Sequence, residues 1–306
     1  MPAALALAVL LSVPALAQDP YDAPAFHRSF VLETAKVLKT LKQTRAQAAF
    51  IEEKGIDLFV VSTGPVLPEF ALAGYDLDRR RIFVNRVRLA DSARQLEAAG
   101  LAPARIAEAA AWKWIPVVAH EIRHGMVKSR LRDKGIDFPQ GTLEDEMIAF
   151  FDTVRVLQAS LDGRPDLWTD DRLIAFDFDS GILLKEWRRS PSAVKELVAP
   201  RYPKAPSVLD MPRERMAALL KEGWDAYAKT LTQVDRYYAA AKTMKDPMRR
   251  QEALADPEAK ATREDSVAML GRARRSRIAI ETTQGYERIR SFYRDELKRL
   301  VGKVKP

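Results

Sequence analysis

Apolar positions along the chain recur mostly at intervals of three and four residues, the spacing that lines one face of an α-helix. Over residues 30–53, Leu32, Ala35, Val37, Leu38, Leu41 and Ala48 keep that period, and Gly55 supplies a helix stop. The period then changes. Leu58-Phe59-Val60-Val61 is a short apolar run between turn residues, which predicts a buried strand within 56–62. Gly64-Pro65 and Pro68 mark a loop, and segments 70–75 and 81–87 predict a hairpin that turns at Asp76-Leu77-Asp78-Arg79. Helical spacing returns over 102–134, where Pro116 either kinks one helix or divides two, and Gly135 ends it. A further helix over 143–159 carries Met147, Phe150, Phe151, Val154 and Leu157 on one face, with Thr142 as N-cap and Asp145 at N3. Prolines 165, 191, 200, 203 and 206 cut the next stretch into short pieces. Beyond Pro212, long helices are expected over 216–244 and 262–300, with Pro247 and Pro257 in their connection. Few strands among many helices predict an α+β chain that is predominantly helical. Its expected division is a mixed lobe over 18–210 and a helical region over 211–306.

Composition narrows the picture. A chain of 306 residues, 47% hydrophobic and 30% charged, has the balance of a globular protein with ample core. The absence of cysteine removes disulfides and thiolate metal sites from consideration. The formal charge is +8, yet the 50 basic and 42 acidic residues are interspersed. The one compact basic cluster, Arg272, Arg274, Arg275 and Arg277, spreads around a helix as solvated surface does. No nucleic-acid motif is present, so nucleic acid is not an expected partner.

Residues 3–17 are almost wholly apolar and finish with Ala15-Leu16-Ala17 before Gln18-Asp19-Pro20, which reads as a secretory signal with a small-x-small cleavage site. Met1-Pro2 lacks the basic residue such a segment ordinarily carries. The run is short for a membrane span and contains Pro14, so no lasting membrane anchor is expected. Export to a bacterial periplasm or to the medium follows from this reading.

The chemistry is concentrated in Val117-Val118-Ala119-His120-Glu121-Ile122-Arg123-His124-Gly125, which uses two of the three histidines. On a helix, residues four apart share a face, so His120 and His124 can hold one metal ion while Glu121 reaches an attacking water as general base. The bland alternative is a solvated helix that happens to carry this HExxH order. A catalytic zinc site needs a third protein ligand. Glu146 and Glu144, in the first turn of the helix over 143–159, are the candidates, and Glu144, Asp145 and Glu146 could equally be acids placed for the helix dipole. Asp152 reads as a surface acid rather than a partner for an imidazole.

At these residues the chain resembles the zincin metallopeptidases. Val117, Val118, Ala119, Ile122, Gly125 and Met126 fit their extended motif; Arg123 departs from it and is expected to face solvent or a carboxylate. Arg130 stands where the metzincin scheme would place a third histidine, and Glu146-x-x-Ala149, beginning 22 residues after His124, is similar to the glutamate helix of gluzincins. The resemblance implies a zincin-like lobe with a small mixed sheet and an active-site helix, Zn²⁺ on His120, His124 and Glu146, and hydrolysis of a peptide or protein substrate. It also implies an edge strand that pairs with extended substrate, for which Ile82, Phe83 and Val84 are the candidates; a structural hairpin is the other reading. The oxyanion donor is left open among Tyr202, Tyr227, Tyr237 and Tyr238. A different class of protein also fits the chain: an exported, non-catalytic helical protein whose C-terminal region holds a protein or peptide partner.

Overall fold

The computed structural model describes residues 19–61, 67, 71–76, 79–136, 141–167 and 178–301. The signal reading of residues 1–17 lies outside them, as do Leu77 and Asp78 of the hairpin turn. The architecture is α+β and predominantly helical, with one small mixed sheet. Among the described residues no helix is long and apolar enough to cross a membrane.

The expected helix over 30–53 is two helices, α1 (Pro24–Thr40) and α2 (Arg45–Lys54). They part because Leu41 is extended, and the buried Thr44 hydroxyl donates to the carbonyls of Leu38 and Leu41 at 2.7 and 3.1 Å, holding the corner. Gly55 ends α2 at φ 59°, a left-handed conformation that costs glycine little.

Strands β1 (Asp57–Val61), β2 (Ala73–Asp76) and β3 (Arg81–Asn85) form a sheet in the order β1-β3-β2. The hairpin pairs Gly74 with Phe83 antiparallel, while β1 joins β3 in parallel, Phe59 opposite Phe83. Two expectations are corrected here. β1 is an edge strand with Phe59 exposed, so its apolar run does not mark a fully buried strand. β3 is the central strand, with Ile82 and Val84 buried and its backbone paired on both sides; Ile82, Phe83 and Val84 therefore cannot form a substrate-pairing edge. Asn85 closes β3 and opens α3 (Arg86–Ala98): its side-chain oxygen accepts from the Val87 and Arg88 amides at 3.0 and 3.2 Å.

The core is organised on α4 (Pro103–Asp133) and α5 (Leu143–Gly163), which pack along each other, with α1 on the far side of α4. Trp114 is buried on α4 with its ring edge-on to Phe30 of α1, centroids 6.3 Å apart. Pro116 neither ends nor divides α4. A proline removes the hydrogen bond to the carbonyl four residues back, and the orphaned Trp112 carbonyl instead accepts from the Ser160 hydroxyl of α5 at 2.8 Å.

Helices α6 (Phe178–Arg189) and α7 (Pro191–Val198) follow. Helix α8 (Arg213–Lys242) pairs lengthwise with α10 (Pro257–Glu281), and the short α9 (Pro247–Leu254) joins them. The helix expected over 262–300 breaks at Thr282, where α11 (Thr283–Val301) turns back to pack on α5. Arg130 of α4 meets Glu296 of α11 at 2.7 Å, and Arg79 of the hairpin turn meets Asp265 of α10 at 3.1 Å.

Candidate metal centre

His120 and His124 lie one turn apart on α4 with ring centroids 4.7 Å apart. Their Nε2 atoms are separated by 3.0 Å, and Glu146 Oε2 of α5 lies 3.7 Å from the first and 3.6 Å from the second. All three residues are largely buried, and together they could hold a metal ion. Three ligands bound tetrahedrally at zinc distances stand roughly 3.3 Å apart, so the triangle has the right size.

The hydrogen bonds behind the rings set what the front can do. Asp145 Oδ2 lies 3.1 Å from His124 Nδ1 and, as a carboxylate, accepts its proton. The Thr153 hydroxyl donates to the Ala149 carbonyl at 3.0 Å and is left to accept from His120 Nδ1, also at 3.0 Å. With both Nδ1 atoms carrying hydrogen, the neutral rings present two Nε2 lone pairs to each other and to a carboxylate oxygen. Glu146 Oε2 is buried and has no hydrogen-bond partner. Three electron-rich atoms converging in this way call for a cation between them.

Without a metal, charge on His124 answers part of that demand. Burial opposes the imidazolium, but the Asp145 carboxylate, followed by Glu146 and Glu121, outweighs it and raises the His124 pKa to about 9. Burial likewise favours neutral Glu146, yet the neighbouring His120 and His124 pull its carboxyl below the usual range. Tyr202 is shifted upward, first by burial and then by the Glu146 carboxylate that its hydroxyl contacts, so its phenol stays protonated.

Local sequence explains how one helical turn supplies three different carboxylates. Thr142 Oγ1 caps α5 by accepting from the Asp145 amide at 3.2 Å. Successive helical residues point about 100° apart. Glu144, the alternative ligand, turns away from the site and accepts from Ser207 Oγ, Val208 N and Leu209 N at 2.7, 2.8 and 3.2 Å. Asp145 turns to His124, and Glu146 faces the cleft. The Glu144 alternative is thereby corrected: its oxygens are consumed in fastening the 207–209 loop to α5.

Asp152 is also corrected, from surface acid to fully buried anion. It accepts from Arg123 Nε at 2.7 Å, from Gln47 at 2.5 Å and from Arg155 at 3.1 Å. Arg123 therefore does face a carboxylate, inside the α4–α5 interface rather than at its rim.

The cleft in front of the triangle has a volume of about 230 Å³ and is bounded by Tyr75, Glu121, Lys128 and Tyr202 together with His120, His124, Asp145 and Glu146. Tyr75 comes from β2 and crosses α4 where Gly125 offers no side chain; a Cβ there would lie 2.5 Å from the Tyr75 ring. Of the four tyrosines left open above, Tyr202 lines the cleft, whereas Tyr237 is exposed on α8. Tyr75 and Thr153 carry no local signal in the sequence. Lys128 was legible in principle, since it is one helical turn past His124 and so shares its face. No protein-family model, no curated protein and no solved structure matches this chain.

Proposed function

We propose that the protein is an exported zinc-dependent metallopeptidase of gluzincin type, its metal held by His120, His124 and Glu146. The observation that carries this reading is the convergence of His120 Nε2, His124 Nε2 and the unpartnered Glu146 Oε2, with both Nδ1 atoms already engaged behind them. Two nitrogens and a carboxylate oxygen in a compact triangle suit zinc. The apolar leader at 1–17 supports export, and β2, whose outer edge is unpaired among the described residues, takes over from β3 as the strand beside which an extended peptide would lie.

A bound divalent ion would supply Lewis acidity, polarising the scissile carbonyl and making a nearby water more acidic. Glu121 lies on the cleft wall next in sequence to His120 and takes the proton from the attacking water. It then delivers that proton to the leaving nitrogen. Tyr202 keeps its phenolic proton and donates a hydrogen bond to the carbonyl oxygen as negative charge develops there. Asp145 and Thr153 fix the imidazole orientations throughout.

The test is metal content and peptide hydrolysis measured on one set of proteins. Wild type should carry about one zinc per chain, and His120→Ala and Glu146→Ala should lose it. Glu121→Gln should keep the zinc and lose hydrolysis. Wild-type protein that takes up no zinc even on reconstitution, or zinc that survives both ligand substitutions, would overturn the assignment.

A further inference from the structure

We propose that Lys128 reads a carboxylate on the substrate, so that the peptides taken carry an acidic group within a residue or two of the bond cleaved. The word substrate here rests on the peptidase reading above; the anion site itself rests on the geometry of the cleft.

Among the described residues Lys128 is the only lysine or arginine lining the cleft, against the carboxylates of Glu121, Asp145 and Glu146. Charges in such a site ordinarily pair with one another, and each of the neighbouring acids has another neighbour to answer to. Asp145 serves His124, Glu146 serves the imidazoles and Tyr202, and the Glu121 charge acts on His124 and Tyr202. Lys128 is half-buried and has no hydrogen bond or ion pair with any described residue. A lysine left over in a concave polar site, with acids nearby that it does not reach, is placed to meet an anion that arrives from outside.

The spacing fits a peptide. Lys128 stands one turn beyond His124, so its backbone is about 6 Å further along α4. An extended peptide advances roughly 3.3–3.6 Å per residue. With the scissile carbonyl held at the His, His, Glu triangle, an acid one or two residues away comes within the span of the lysine stem. Charge balance agrees: a divalent ion and Lys128 together offset the three carboxylates, so an anionic group entering beside Lys128 is not repelled by the cleft as a whole. The carboxylate has two possible sources, an Asp or Glu side chain and the free C-terminus of a peptide.

The experiment uses full-length, zinc-loaded Glu121→Gln protein, which can bind peptide without turning it over. Calorimetric affinities are measured for three peptides of one neutral sequence: one with a single glutamate and an amidated C-terminus, one neutral with a free C-terminal carboxylate, and one neutral and amidated. At least one anionic peptide should bind about tenfold more tightly than the neutral amide, and which of them does so identifies the source of the carboxylate. Adding Lys128→Met should abolish the preference, and adding Lys128→Glu should shift it toward a peptide bearing lysine, with zinc content unchanged in both. Equal affinities for the three peptides, binding to none of them, or a preference that survives Lys128→Met overturns the proposal. Failure of the peptidase reading is seen separately, as wild-type protein that takes up no zinc or, loaded, hydrolyses none of the peptides.

Discussion

α4 and α8 differ by a single residue in length, 31 against 30, but 17 residues of α4 are buried and only four of α8 are. α4 is enclosed by α1, α3, α5 and the sheet, whereas α8 leans mainly on α10 and leaves most of its circumference to solvent. Charged groups therefore behave differently on the two helices. On α8, Lys221 and Asp225 form an ion pair of 2.7 Å in which both side chains are mostly exposed. On α4, Arg123 meets Asp152 at 2.6 Å with almost no exposure of either. The enclosed helix can hold polar groups in one geometry because water cannot substitute for a missing partner. α4 and α5 are tied this way at Trp112 with Ser160, at His120 with Thr153, at Arg123 with Asp152 and at His124 with Asp145. The candidate metal site sits among these ties.

The largest expected difference between the two helices follows from removing one member of each ion pair. Asp152→Ala leaves the buried Arg123 guanidinium without its anion, a change that typically costs about 3–5 kcal/mol. Lys221→Ala removes an exposed i,i+4 pair and should cost no more than about 0.5 kcal/mol. Equilibrium urea unfolding of both variants measures the contrast directly. Similar small losses in the two would mean that the interior of the α4–α5 interface is solvated and that the comparison fails.

Arg123 and Asp152 also show where sequence reading stops. The period of apolar residues was enough to place α4 and α5, because burial of one helix face is written into spacings of three and four residues. The HExxH order and Glu146 were legible for the same reason: helical geometry converts spacing into shared faces. Whether a charged residue lies inside or outside depends on its partner, and the partner of Arg123 is 29 residues away on another helix. Asp145 was legible as a capping-box acid at N3, while its role beside His124 arises only from the approach of α4. The sheet order had the same difficulty. β1 pairs with β3 from across the loop region, and this pairing, invisible in the hairpin pattern, moves β3 from the edge to the centre.

Glycine gives the second contrast, and here the two regions should respond with opposite sign. Replacing glycine by alanine inside a helix ordinarily stabilises by about 1 kcal/mol. Gly271 of α10 should follow that rule, since an added Cβ meets only Arg275 Nη1 at 3.5 Å. At Gly125 of α4 the added methyl would lie 2.5–2.7 Å from Tyr75 Cζ, Cε1 and Oη. Overpacking of this kind costs about 1–3 kcal/mol, so Gly125→Ala should destabilise despite its better helix propensity. Combining it with Tyr75→Ala should recover part of the loss, and a double-mutant cycle on thermal unfolding reads the coupling. A stabilised Gly125→Ala variant would show that β2 is free to move away from α4.

The smallest difference in stability between the two regions is the most informative about the site. Thr142 caps α5 and Asp246 caps α9, each through a side-chain oxygen that accepts backbone hydrogen bonds. Either residue changed to alanine should cost about 1 kcal/mol or somewhat less, so unfolding alone will barely separate them. Under the zinc reading proposed above, zinc affinity should. The first turn that Thr142 holds carries Asp145 and Glu146, and loosening it loosens both the partner of His124 and the third donor. Loss of such support commonly weakens metal binding about 10–100-fold. Asp246 is exposed, in the connection between α8 and α9, and nothing links its cap to the triangle. Competition with a chelating dye should therefore show a weaker zinc site in Thr142→Ala and an unchanged one in Asp246→Ala. Equal affinity in both would mean that the packing of α5 alone, through Ile148, Phe151 and Val154, is sufficient to hold Glu146 in place.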